Sequence, residues 1–174
     1  SVGNALYEIS LTRPEAIILV GTTNPVAEFI KRARENEKII KNVHFGVLSF
    51  VSPKLLVETL HGKTKNIYFS QVVPTPWTSK KETVQEYRKA MKKYFPKHDF
   101  GYVSLEGYFA AKMITEVFKS VGEKFTKADF IQGMEQLSRE IDNNVHPNKV
   151  SKKCPCLRLV TISQYINGRF ELVP

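Results

Sequence analysis

No stretch of this chain approaches the roughly 20 consecutive apolar residues that a membrane span requires, which excludes a transmembrane helix from its reading. Also missing are a P-loop, a GxSxG elbow, an HExxH pair and a glycine-rich dinucleotide fingerprint, so no enzyme class finds its usual machinery and no cofactor is expected. Cysteine is scarce, with two residues, Cys154 and Cys156, on either side of Pro155. Their CxC spacing differs from the CxxC of thioredoxin-like sites, and a disulfide between residues two apart would be strained. Free thiols and a bond to another segment both remain open, so the compartment is not fixed by cysteine usage. The four histidines, His44, His61, His98 and His146, have no metal-ligand spacing and read as structural or surface residues, so no metal is expected.

Acidic residues are also in deficit, with 17 Asp and Glu against 26 Lys and Arg, giving a formal charge of +9. A basic balance of this size raises the question of nucleic acid. The lysines, however, are spread over helix faces such as KKETVQEYRKAMKK, and neither zinc spacing nor a glycine-flanked aromatic motif accompanies them. A solvated basic surface accounts for the charge, and no nucleic-acid partner is expected. The amino end, SVGNALYEISLTRP, has no basic segment followed by an apolar core and does not read as a signal peptide. Its Ala5, Leu6, Ile9 and Leu11 instead suggest a helix already under way, as if the chain had lost its beginning.

What is present is ordinary globular material, 174 residues with 42% hydrophobic and 11% aromatic content, enough for one domain or two small lobes. Two segments share one grammar: IILVG-TT-NP-VAEFIKRAR and HFGVLSF-V-SP-KLLVETL each run from a buried-looking strand through a short loop into a helix. Asn24 and Ser52 are expected to cap these helices, with Pro25 and Pro53 placed where a missing N–H costs nothing. Consecutive units of this kind predict adjacent parallel strands over 17–21 and 43–48. Loops at the carboxyl ends of such strands form the usual binding rim of an open α/β sheet, which selects Thr22, Thr23, Ser49 and Phe50 as candidate site residues.

Further along, NIYFSQVV at 66–73 predicts a third strand stopped by Pro74, and PTPW forces an extended link. Beyond it the pattern turns helical. Ser79 with Glu82 reads as a capping box ahead of a face made by Val84, Tyr87, Met91 and Tyr94. YVSLEGYFAAKMITEVFKSVG predicts a helix with Met113, Val117 and Phe118 inside and Gly122 as its stop. Thr126 with Asp129 opens another, carrying Phe130, Met134 and Leu137. These three helices have no sheet of their own, so their apolar faces are expected to pack on strands that this chain does not contain. The tail, CLRLVTISQYI-NG-RFELVP, predicts a hairpin turning at Asn167-Gly168. Glu106, near the start of an apolar helix beside Tyr102 and Ser104, admits two readings: a helix-dipole partner in the first turn, or a hydrogen-bond acceptor facing a cleft.

In order and spacing, RPEAIILVGTTNPVAEFIKRAR, VLSFVSPKLLVETL, IYFSQVVPTPW, VQEYRKAMKKY, YVSLEGYFAAKMITEVF and INGRFELV resemble the carboxyl-terminal half of type I periplasmic solute-binding proteins. These are the branched-chain amino acid and amide receptors of ABC transporters. The resemblance implies an α/β fold of Rossmann-like lobes, the second lobe plus part of the first, with the ligand enclosed by hinge closure. It implies second-lobe βα units at 1–72, an inter-lobe crossing at 73–77, first-lobe helices at 78–140, a connector at 141–156 and a terminal hairpin at 157–174 returning to the second lobe. Tyr102 and Glu106 would then approach the ligand from the other lobe, joining Thr22, Thr23, Ser49 and Phe50. Ser49 falls where amino-acid receptors of the group often carry an acidic residue for the ligand's ammonium, and a neutral hydroxyl cannot compensate a buried ammonium. The implied partners are a small-molecule solute, an ABC-transporter permease or the membrane domain of a sensor, and a missing amino-terminal half of the same protein, with a non-binding interaction module that retains the fold as the alternative function. The implied location is periplasmic or otherwise extracytoplasmic, free or membrane-anchored.

Overall fold

The computed structural model describes residues 1–35, 42–145 and 160–173. Its contacts divide the chain into two compact units. The first comprises Ser1–Pro74, Gly101–Val103 and Val160–Pro174; the second comprises Thr75–Phe100 and Ser104–Leu159.

The first unit is built on a sheet of five strands: β1 (Ala16–Leu19), β2 (His44–Val47), β3 (Ile67–Gln71), β4 (Thr161–Ile166) and β5 (Arg169–Leu172). Their spatial order follows the chain. β1, β2 and β3 run parallel, as the two repeated units require, and β4 and β5 are antiparallel to their neighbours. The crossovers are α2 (Thr23–Glu35) and α3 (Pro53–Thr59), preceded by α1 (Val2–Leu11). Apolar residues alternate along the strands, and one face packs on these helices. Ile17, Leu19, Phe45, Val47, Ile67 and Phe69 form a single core with Val26, Phe29, Ile30 and Leu56, and Leu6 of α1 joins it. On the other side of edge strand β1, Ile18 stays 74% exposed.

The arginine at the end of α2 locks this layer. The Arg34 guanidinium donates to the backbone carbonyls of Lys63 and Lys65 and lies 6.0 Å from the centre of the Phe45 ring. Partial burial pulls its pKa below the usual arginine range. The β4–β5 hairpin turns at Asn167 (φ 50°) and Gly168 (φ 83°), the two positive φ angles that an Asn-Gly turn of type I′ requires.

The second unit contains α4 (Glu82–Tyr94), most of α5 (Tyr102–Val121) and α6 (Lys127–Val145). Tyr87 is its pivot. The ring packs edge-on against Tyr108 at 5.7 Å, and the hydroxyl shares a 2.6 Å hydrogen bond with Ser104 Oγ. The Arg88 side chain donates to the carbonyls of Pro76 (3.1 Å) and Ser79 (3.0 Å), fastening the proline-rich link to α4. Thr126 and Asp129 form a complete capping box: Asp129 Oδ2 accepts from the Thr126 backbone N–H, and Thr126 Oγ1 accepts from the Asp129 N–H.

Five expectations need correction. α2 begins at Thr23, with the Thr22 carbonyl accepting the first helical bond from Val26, so Asn24 is inside the helix rather than its cap. Proline is tolerated throughout the first turn, where N–H groups have no helical partner, and therefore does not fix the starting residue. Only Ser52-Pro53 is a true cap-proline pair, with Ser52 Oγ accepting from Leu55 N. The Ser79–Glu82 box does not form: α4 starts at Glu82, and Ser79 Oγ instead accepts from Lys81 N. Tyr94, assigned to the buried face of α4, is 64% exposed because it sits at the last residue of the helix. Val117 needs no absent sheet: it is buried against α6, where the missing side chain of Gly133 lets the two helices approach. Finally, α6 continues to Val145, through the first residues of the expected connector. The rest of that connector, with His146, Cys154 and Cys156, lies outside the described residues.

Candidate functional site

The carboxyl ends of β1 and β2 open on one edge of the first unit, because the strands are parallel and in register: Leu19 is opposite Val47, and Val47 opposite Phe69. Each strand feeds a short loop that runs directly into a helix. These two loops bring Thr22, Thr23, Ser49 and Phe50 onto a common rim.

Their side chains do different things there. Thr23 is buried, and its Oγ1 accepts a 3.1 Å hydrogen bond from the backbone N–H of Ser52, tying the first loop to the second. That oxygen therefore orders the rim. Thr22 is exposed at the cap position of α2. Ser49 is half-buried in a tight turn closed by Val51 N donating to Leu48 O at 3.1 Å. Phe50, at the tip of that turn, leaves 71% of its surface in solvent, an unusual position for a phenylalanine unless something apolar covers it.

The loops, Val20-Gly21-Thr22 and Leu48-Ser49-Phe50-Val51, contain no ionisable side chain. Hydroxyls, loop amides and the amino end of α2 make the rim rich in hydrogen-bond donors without fixed charge. Such a surface suits acceptor oxygens on a ligand better than a cationic group. Among the described residues no group of three His, Cys, Asp or Glu side chains could hold a metal ion, and no helix is long and apolar enough to cross a membrane.

The remaining two candidates are placed elsewhere. Tyr102 does not side with the helical unit: it groups with the sheet, buried, its ring edge-on to Phe170 of β5 at 6.0 Å. Glu106 belongs to the second unit and is exposed. It is the fifth residue of α5 and lies beyond the first turn, so the helix-dipole role does not apply.

Gln71, the last residue of β3 and 2% exposed, was missed by sequence reasoning. The signal was available: an amide at an inward position of IYFSQ, where alternation calls for an apolar side chain.

The family model for periplasmic binding proteins matches residues 2–154. No curated protein matches the chain by sequence. Among solved structures, the chain is similar to a possible leucine/isoleucine/valine-binding protein from Rhodopirellula baltica, at 24% identity and a TM-score of 0.79, over 99% of this chain and 46% of that one. It is similar to a substrate-binding periplasmic protein from Ralstonia solanacearum, at 20% identity and a TM-score of 0.75, over 99% of this chain and 49% of that one. A leucine binding protein from Thermotoga maritima matches at 13% identity and a TM-score of 0.71, over 100% of this chain and 48% of that one. The chain therefore spans about half the length of the proteins whose fold it shares.

Proposed function

The chain belongs to the periplasmic binding protein family and has the type I fold, and from that premise we propose that it supplies one side of an extracytoplasmic solute receptor. The receptor captures a small polar ligand, an amide, a carboxylate or an amino-acid-like molecule, and passes it to an ABC-importer permease or reports it through a sensor's membrane domain. The other side of the cleft comes from the half of the receptor's length that this chain does not span.

One observation carries the ligand class: the rim formed by Thr22, Thr23, Ser49 and Phe50 has donors and an exposed aromatic ring but no carboxylate. A free ammonium enclosed there would be desolvated with no anion to compensate it, whereas a carboxylate or carbonyl oxygen finds donors. Phe50 supplies an apolar wall for the ligand's hydrocarbon part.

The test is a thermal-shift screen of the complete receptor with acetate, acetamide, L-leucine and butylamine. Stabilisation by a carboxylate or amide, with none by butylamine, is the expected pattern. Tight binding of the simple amine, or no stabilisation by any of the other three probes, would refute this reading.

A further inference from the structure

We infer that the first unit binds a single buried water molecule between Gln71 of β3 and Ser163 of β4. The two side chains face the same way: Ile67, Phe69 and Gln71 are the inward residues of β3, and Ser163 is the register partner of Phe69. Gln71 is the partner of Thr161, two residues from Ser163 on β4, which makes Gln71 and Ser163 diagonal neighbours about 7–8 Å apart. Both are sealed from solvent, at 2% and 0% exposure.

Within this seal, Gln71 Nε2 and Ser163 Oγ have no hydrogen-bond partner among the described residues. A buried amide or hydroxyl left unmatched is more costly than the ordering of one water molecule, and two orphans side by side double the penalty. One water resolves both. It accepts from the Gln71 N–H and exchanges a hydrogen bond with the Ser163 hydroxyl, which donates or accepts as the water's orientation demands. Neither side chain carries charge, so the pair suits a neutral donor–acceptor guest rather than an ion.

The location gives the water a mechanical role. β3 is the strand after which the chain first leaves the sheet unit, at Pro74, and β4 is the strand through which it finally returns, at Val160, after a brief return at Gly101–Val103. A bridging water fastens the departing strand to the returning one beyond their backbone ladder.

Two measurements on the complete protein decide the matter. A high-resolution crystal structure should place an ordered water within hydrogen-bond distance of both Gln71 Nε2 and Ser163 Oγ. A thermodynamic cycle of Gln71→Leu, Ser163→Ala and the double variant should show coupling of about twofold or more in the folding equilibrium constant, the single changes each stranding the other's polar atom. A direct Gln71–Ser163 hydrogen bond, a protein group from elsewhere satisfying either atom, or a water on only one of them would overturn the inference. Should a variant fail to fold, the wild-type density alone gives the answer.

Discussion

Thr23 Oγ1 and the backbone N–H of Ser52 are joined by a 3.1 Å hydrogen bond that links the loop after β1 to the loop after β2. Because Thr23 is buried, water does not readily replace the lost partner. Thr23→Val should therefore destabilise the protein by about 1 kcal/mol and loosen the rim, while Thr23→Ser keeps the oxygen and most of the stability. Urea unfolding of both variants checks this, and equal loss in the two would assign the effect to packing.

Arg34 performs the same service for the turn before β3, donating to the carbonyls of Lys63 and Lys65. Arg34→Met keeps the length of the side chain and removes both bonds. A loss of about 1–2 kcal/mol is expected, with faster amide exchange in residues 62–66. An unchanged exchange pattern would mean that the turn holds itself.

Much of this fold was legible because local chemistry and global topology agree. Ser52-Pro53, Thr126 with Asp129, Gly122 and Asn167-Gly168 each name a boundary through one hydrogen bond or one sign of φ, and each boundary is found there. The errors arose where two starts were chemically equivalent. Asn24-Pro25 allowed the helix to begin earlier, and Ser79 spent its hydroxyl on Lys81 N. Of the site, the four rim positions followed from the repeated strand-loop-helix grammar. Gln71 was marked only by breaking the apolar alternation of IYFSQ, and the surroundings of Tyr102 were not legible, since they depend on the hairpin of β4 and β5, whose attachment to β3 through β4 joins residues far apart in the chain.

The close approach of α5 and α6 rests on Gly133. A Cβ there would lie 2.9 Å from Val117 Cγ1, and Val117 is fully buried. Gly133→Ala should cost about 1–3 kcal/mol, and pairing it with Val117→Ala should recover part of that loss. Melting curves of the single and double variants test this; additive losses would contradict it.

Asp129 makes the start of α6 sensitive to acid. Hydrogen bonds from the Thr126 backbone N–H and hydroxyl hold its carboxyl below the usual aspartate range. A depressed folded-state pKa means that its stabilisation is complete above the unfolded value and is lost as pH falls through the folded one. Asp129→Asn should lower stability at neutral pH and flatten its decline below about pH 4. An acid limb of unchanged steepness would rule the carboxylate out as its source.

The charge-free donor rim is tested most directly by calorimetric titration of the complete receptor, wild type and Ser49→Asp, with the carboxylate or amide that stabilises it. The account predicts saturable binding to the wild type and a loss of about tenfold or more in Ser49→Asp, which sets an anion on the rim beside an acceptor-bearing ligand. Undiminished affinity in Ser49→Asp, or a wild-type preference for butylamine, would contradict it.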